Sequence, residues 1–534
     1  MNFKVLQRDE SLEIIKNKDF ILEWRALANE SQEFTLIQEP DLVVSWYNSY
    51  KGQYNPLLVI AYSKSIEKMI GIIPLAISIE SGELSHAGDE QAEYNGWICE
   101  KEHEEEFLVS CLVLLRDKLK LNKWDWGWMP PNANTKWLYS KKLKENGISV
   151  NFATSELPLY DLSDQERINK IKKSKSTKSK INRLKRAGEL RIERITDLAK
   201  AEQVFVDLKK ISNFRNMAVY DNMPFNSDDT NKENWHLAHL DGSGSVHFTV
   251  LWQGDEFLAC NFGFCSDETV IIGLFTYNPV QGAHSPGNVF LIELIDFIKK
   301  EGFHYLDLSP GGDPYKERFS NTHITLTKPV FCFNSRCKFK NMIMTYLKDK
   351  IKEKYSYRDL ISIKSNIKRK LSRISNTHGK SEIFRFSPKN RNACEIKFNI
   401  QRYDDLLLYK QGKGCKKHNE VIFSSLKNFE RGDLLYTLVE DENLVFSAWV
   451  SLSSKKHWDK ELDEFTSSIA NNILAYDLYF GENKNNSKLL TEFTSLLCAT
   501  HVVPNEQRDL YLVGPKVLNE KQLLDIGFSL ANLK

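Results

Sequence analysis

Two loops and two charged runs hold the residues of this 534-residue chain that could do chemistry. The loop Ala283-His-Ser-Pro-Gly-Asn288 leads into apolar residues at helical spacing: Phe290, Leu291, Leu294, Ile295 and Ile298. The first N–H groups of a helix lack intrahelical partners and attract anions. Gly287 lets a ligand approach the backbone, Pro286 fixes the chain at the helix entrance, and Ser285 can cap the helix or donate to a phosphate. Read alone, the same loop is also an ordinary helix cap. Asp307 ends a short apolar strand, at the end where open sheets place ligands. It is followed by Leu-Ser-Pro-Gly-Gly-Asp-Pro-Tyr-Lys316.

The chain carries a net charge of only +2, unevenly placed. Residues 170–186 hold nine Lys/Arg and no acid, and residues 336–380 hold 14 Lys/Arg against three acids, which leaves about −18 on the remainder. Such asymmetry points to anionic partners: a phosphorylated cofactor, a nucleotide-linked acceptor, tRNA or an anionic lipid surface. In the second run, Met342, Ile343, Tyr346 and Leu347 beside Lys350, Lys352 and Lys354 read as a weakly amphipathic basic helix suited to peripheral membrane contact, or as a solvated linker.

Nine scattered cysteines exclude a full disulfide framework and fit a reducing, cytoplasmic setting. Cys260 and Cys265, like Cys332 and Cys337, have a C-x4-C spacing that could hold zinc. The first pair lies in a strand-like run and reads as core. His236 and His239 could share a helix face but lack a third ligand, so no metal is expected.

The elements that must position these residues recur. In the middle of the chain, strands 246–252 and 257–264 form a hairpin, followed by strand 269–277, a loop, a helix from about Asn288 to Gly302, and strand 304–308. The C-terminal part repeats the order: strands 434–440, 444–450 and 472–480, a helix over 489–500, strand 509–513 and a short helix 520–526. The N-terminal part repeats it loosely, with hairpin 57–62 and 69–77, a short strand 83–88, helix 107–119 and strand 123–128. A helix that joins two strands of one sheet makes them parallel, so each unit predicts a mixed sheet. Composition agrees with several packed cores: 41% apolar and 27% charged residues exclude a disordered chain, and no apolar run approaches the ~20 residues of a membrane span. The start of the chain has no secretory pattern.

Hairpin, strand, anion-ready loop, helix and strand together resemble the GNAT acyltransferase superfamily. Over about 15–330 the chain is similar to its double-GNAT branch, which includes the FemAB peptidyltransferases and CelD-like acetyltransferases. The resemblance rests on Trp24, Leu27, Phe34, Gln38-Glu-Pro40 and Trp46, then Gly71-Ile-Ile-Pro-Leu75, then Glu93-Tyr94 where the family has Asp-Tyr. It continues with the basic helix 178–188, Ser285-Pro-Gly287, and Asp307 to Lys316 with Phe319. It implies an α/β (α+β) fold of tandem GNAT-like domains, with mixed, mostly antiparallel sheets, a splayed parallel strand pair and flanking helices. The domains expected are 1–165, a central catalytic domain 166–335, a basic helical linker 336–381, and a C-terminal domain 382–534. Loop 481–487, with one Gly and an acid, departs from the family's phosphate loop and marks that last domain as degenerate.

The resemblance also implies acyl transfer, which needs a base for the acceptor and donors for the oxyanion. Glu93 and His284 are candidate bases. Tyr94 and Asp307 share the catalytic group, Tyr315 could protonate a leaving thiolate, and Lys316 and Arg318 could hold phosphate. Tyr277, Ser285, Pro286, Gly287, Asn288 and Arg318 are the expected contacts of acetyl-CoA or another acyl-CoA. Three readings stay open. The first is acetylation of a saccharide or of a nucleotide- or lipid-linked intermediate of surface polysaccharide. The second is aminoacyl transfer from tRNA, and the third is a non-catalytic scaffold that kept the fold.

Overall fold

The computed structural model describes residues 1–31, 36–65, 68–225, 230–240, 245–337, 383–386, 396–412, 416–452, 472–481, 486–501, 509–513, 520–526 and 528–530. Most of the basic segment 336–380, with its amphipathic run, lies outside them.

Strands β1 (Asn2–Gln7), β2 (Tyr54–Tyr62), β3 (Met69–Ser78) and β4 (Leu84–His86) form an antiparallel sheet, with β5 (Ile98–Cys99) also paired to β3. The near-continuous apolar sequence of β2 and β3 buries both faces. Leu58, Ile60 and Ile72 enter one core and Leu57, Val59 and Ile73 another, the period of two that strands impose. Helix α1 (Glu104–Leu119) leads to β6 (Lys123–Asp125), shorter than the strand predicted over 123–128.

β6 does not pair with the first sheet. It joins a second sheet of order β11-β13-β7-β14-β6, made from β7 (Ser149–Asp161), β11 (Thr269–Ile271), β13 (Tyr305–Asp307) and β14 (Thr322–Cys332). The parallel pair expected in the N-terminal unit is therefore absent among the described residues. The cause is the long β7–β14 ladder, which presents a free edge of β14 to β6, antiparallel from Val330 to Cys332.

A third sheet, β12-β10-β9-β8, comprises β8 (Leu190–Arg194), β9 (Val246–Gln253), β10 (Glu256–Phe264) and β12 (Leu274–Tyr277). Phe248, Val250, Cys260 and Phe262 of this sheet enter the same core as Leu58 and Ile60, so the first and third sheets close on one shared hydrophobic interior. The acid-free run is two helices, α2 (Glu166–Lys173) and α3 (Lys175–Ala187), broken at Ser174, whose side chain caps the second by accepting from the Thr177 N–H. Helix α4 (Leu198–Tyr220) follows β8. Helix α5 (Pro286–Lys300) stops at Gly302, which takes a positive φ of 95°. It leads to β13 and to the short helix α6 (Pro314–Phe319).

The C-terminal part forms one seven-stranded sheet from β15 (Ile383–Phe386), β16 (Asn399–Ile400), β17 (Leu434–Glu440), β18 (Asn443–Ser451), β19 (Ile473–Phe480), β20 (Leu510–Val513) and β21 (Phe528–Leu530). Here the expected parallel pair exists, β19 with β20 from Ile473↔Leu510 to Ala475↔Leu512. Helix α7 (His418–Arg431) precedes β17, and helix α8 (Asn486–His501) joins β19 to β20. Among the described residues no helix is long and apolar enough to cross a membrane.

Candidate active site

The run 269–277, read in sequence as one strand, is two. Residues 269–271 lie parallel to 305–307, and the Ile272 N–H still reaches the Asp307 carbonyl at 2.8 Å. At Gly273 the chain leaves: β12 pairs with β10 in the third sheet, while β13 stays in the second. The parallel pair thus parts beside Asp307.

Asp307 is buried. Its Oδ2 accepts from the Tyr94 hydroxyl at 2.6 Å and its Oδ1 from the Ser309 N–H at 2.7 Å. Burial pushes its carboxyl up to about 6, against the pull of these two bonds and of Lys316. Ser309 sits at φ 61°, held there as its hydroxyl donates to the Ile272 carbonyl at 2.7 Å. Lys316, also buried, donates to the carbonyls of Ser309 (3.1 Å) and Pro310 (3.0 Å) and lies 3.6 Å from the Asp313 carboxylate. Its ammonium is thus spent on holding this turn against α6. Glu93 is half-buried; desolvation and the negative charge of Asp307 push it up to about 7, opposed by Lys316. Two carboxyls, a phenol and an ammonium from separate stretches of chain thereby share one site. Tyr94→Phe removes a charge-assisted hydrogen bond from Asp307 and should cost about 1.5–3 kcal/mol at pH 8. The loss should shrink at pH 5, where Asp307 is protonated; equal denaturation midpoints at pH 8 would refute the bond's contribution.

Next to this group lies a cleft of ≈ 440 Å³ lined by Lys180, Arg215, Phe275, Tyr277, Ser285, Gly287, Asn288, Leu291, Tyr315 and Glu430, among others. Tyr315 is part of its wall. Its phenol is pushed above the ordinary value by burial and by the charges of Asp313 and Glu93, against the pull of Arg215, so Glu93 lies within electrostatic range of it. Lys180 donates from Nζ to Ser285 Oγ at 2.8 Å, and burial with the nearby Arg318 charge lowers its affinity for a proton. The Arg215 guanidinium lies 4.2 Å from the Tyr277 ring centre and donates to the Phe275 carbonyl at 3.4 Å.

The helix mouth differs from the expected amide cradle. Pro286 has no N–H, and the N–H groups of Asn288 and Val289 both donate to the Ser285 carbonyl at 3.0 and 3.2 Å. Ser285, with φ 52°, accepts at its hydroxyl oxygen from Lys180 instead of capping α5. A Cβ at Gly287 would lie 2.8 Å from the Tyr277 ring, so glycine lets that ring close against the helix start. The cations that line the cleft are Lys180 and Arg215.

The structure therefore brings Glu93, Tyr94, Asp307 and Lys316 into one buried polar group, and places Tyr277, Ser285, Gly287, Asn288 and Tyr315 on the wall of the cleft. Pro286 is buried at the first position of α5. His284 sits in the preceding turn Pro279–His284 and is not among the cleft-lining residues described. Arg318 is not among the cleft-lining residues described, and its charge acts on Lys180. Arg215 and Glu430 were missed in sequence; Lys180 belongs to the acid-free run that signalled an anion. His236 donates from Nδ1 to the Lys232 carbonyl at 2.6 Å and His239 meets Ser45 Oγ at 2.6 Å, each in packing roles. Cys260 and Cys265 are buried, while Cys332 and Cys337 touch each other, Sγ to Sγ at 2.6 Å. Among the described residues the one cluster with metal-ligand spacing is Glu100, Glu102 and His103, which includes none of these thiols.

Residues 172–317 match the family model described as an acetyltransferase (GNAT) domain. They supply Lys180, Arg215, the loop 283–288, Asp307, Tyr315 and Lys316. Solved structures of similar shape include FemX, 12% identical with a TM-score of 0.41, covering 60% of this chain and 98% of that one. Another is a tandem GNAT protein from the clavulanic acid biosynthesis pathway (8%, TM-score 0.39, 62% and 98%). A third is L-PGS from Bacillus licheniformis (13%, TM-score 0.37, 61% and 94%). No protein of curated function matches the chain in sequence. The site thus lies on a GNAT-type, acyltransferase-like domain, completed by Glu93 and Tyr94 from the unit before it.

Proposed function

We propose that this protein transfers an acyl group, most simply acetyl from acetyl-CoA, to an amine or hydroxyl of a saccharide, free or carried on a nucleotide or lipid, as in the assembly of surface polysaccharide in the cytoplasm. The observation that carries the reading is the departure of the chain from β13 at Gly273, where β12 crosses to the third sheet and its Phe275 and Tyr277 line a cleft with Lys180 and Arg215. Lys180 and Arg215 hold the donor's phosphates, and the aromatic wall of Phe275 and Tyr277 receives its apolar arm. Glu93 takes the proton that the acceptor nitrogen or oxygen sheds as it attacks the acyl carbon. Tyr315 returns a proton to the departing thiolate. Tyr94 and Ser309 hold Asp307 in place, so its charge sustains the basicity of Glu93. Binding of a ligand to the folded state alone raises the unfolding midpoint, so saturating acetyl-CoA should shift it upward by several degrees; no shift rejects this donor.

One observation favours a second donor. Lys170, Lys173, Lys175, Lys178, Arg183, Lys185 and Arg186 are all exposed on α2 and α3, a band of cations on the outer side of the helices that carry Lys180. Such a band suits a polyanion, and aminoacyl transfer from charged tRNA would use it. Mass spectrometry of the acceptor separates the two: a gained acetyl group supports the first reading, a gained amino-acid residue the second.

A further inference from the structure

The C-terminal part reaches the donor cleft, where Glu430 is among the lining residues. Its helix α7 seats directly on the turn before Ser285. A Cβ at Gly282 would lie 3.2 Å from the Glu430 amide nitrogen and 3.3 Å from the Phe429 carbonyl carbon, so even a methyl there would press the two backbones apart by a few tenths of an ångström and a branched side chain by more. Phe429 is buried, its ring centre 4.8 Å from Trp449 in its own sheet and 6.3 Å from Phe214 on α4. Phe214 immediately precedes Arg215, one of the two cations of the cleft. Val280, on the turn, packs into the same cluster. An ion pair between Lys210 and Asp404 at 3.4 Å ties α4 to the C-terminal part a second time.

One helix thus braces both arms of the anion grip: the turn that presents Ser285 to Lys180, and the stretch of α4 that presents Arg215. We infer that the C-terminal unit serves as the fixed wall of the donor cleft, with Phe429 and Gly282 as positioning residues for Ser285, Lys180 and Arg215. Donor binding and docking of α7 are then coupled, each favouring the other. The inference rests on the donor reading above, because it assigns the wall to that site.

The test uses the full chain, with coenzyme A as the probe and amide hydrogen exchange over 279–291. Phe429→Ala removes the wedge, and Gly282→Val separates the backbones while leaving α7 intact. Leu490→Ala, in the separate core of the C-terminal sheet, is the destabilised control. Both test variants should weaken coenzyme A binding roughly ten-fold and speed exchange over 279–291, with the control leaving both near wild type. A control that weakens binding as much as Phe429→Ala, or a Gly282→Val variant unchanged in both readouts, overturns the inference. If the wild type binds no coenzyme A, the donor reading fails on its own. The exchange comparison then still decides whether α7 holds the turn: faster exchange in both test variants alone supports it, and equal exchange in all three overturns it.

Discussion

Glu93→Gln should lower turnover by roughly two to three powers of ten and flatten its pH dependence, while making the protein more stable at alkaline pH. The reasoning starts from burial. A carboxyl that must lose water and face the charge of Asp307 holds its proton up to about 7, against an ordinary value of 4.5. Below that point most molecules carry a protonated Glu93 that cannot accept the acceptor's proton. The rate constant kcat/KM of the wild type should therefore rise about ten-fold per pH unit up to neutrality and level off above it. The sign for stability is opposite. A carboxyl raised on folding contributes most below its unfolded value, and that contribution is lost as pH rises through the folded one. The amide of the Glu93→Gln variant does not ionise and suffers no such loss. The variant should therefore match wild type near pH 4.5 and exceed it by ~3 kcal/mol at pH 8. Gain of stability with loss of rate is the mark of a group kept for chemistry. A variant with normal turnover, or with a pH profile still bending near 7, removes Glu93 from the reaction.

How this site could be seen in the sequence varies with the range of the contacts that build it. Asp307 to Lys316 was legible because strand, turn glycines and Tyr-Lys are contiguous, and local order is enough to place them. Glu93-Tyr94 was legible only through a family pattern, since nothing nearby shows that Tyr94 crosses to Asp307 in another sheet. The run 269–277 misled for a physical reason. Its apolar character is continuous, and only Gly273 hints that half of it pairs with β13 and half with β10. β6 misled likewise, because a Trp-rich strand carries no mark of which edge it will join, and its partner β14 comes from far along the chain. Arg215 left no trace, lying in a helix of mixed polarity between Phe214 and Asn216. The seat of α7 on Gly282 is a backbone contact between distant stretches, invisible to any periodicity.

The second large effect concerns the two cations of the cleft. Lys180→Met and Arg215→Met should each weaken coenzyme A binding by one to two powers of ten, with little change in the pH profile set by Glu93. Both groups are held for the purpose at some cost. Lys180 is partly desolvated beside the Arg318 charge, so an incoming phosphate offsets both the burial and the repulsion. Arg215 is fixed over Tyr277, which spares the entropy of ordering a long side chain when ligand arrives. If both grip one phosphate group, the double variant should lose less than the two single losses combined, because each single change already loosens the shared anion. Arg215→Lys should not restore affinity, since an ammonium offers neither the planar stack on Tyr277 nor the forked donor. The log of affinity plotted against log salt should also flatten in each variant, as one cation fewer meets the anion. Single variants that bind coenzyme A as tightly as wild type, while Glu93→Gln still abolishes turnover, would keep the carboxylate group in the reaction and move the donor phosphates elsewhere on the chain.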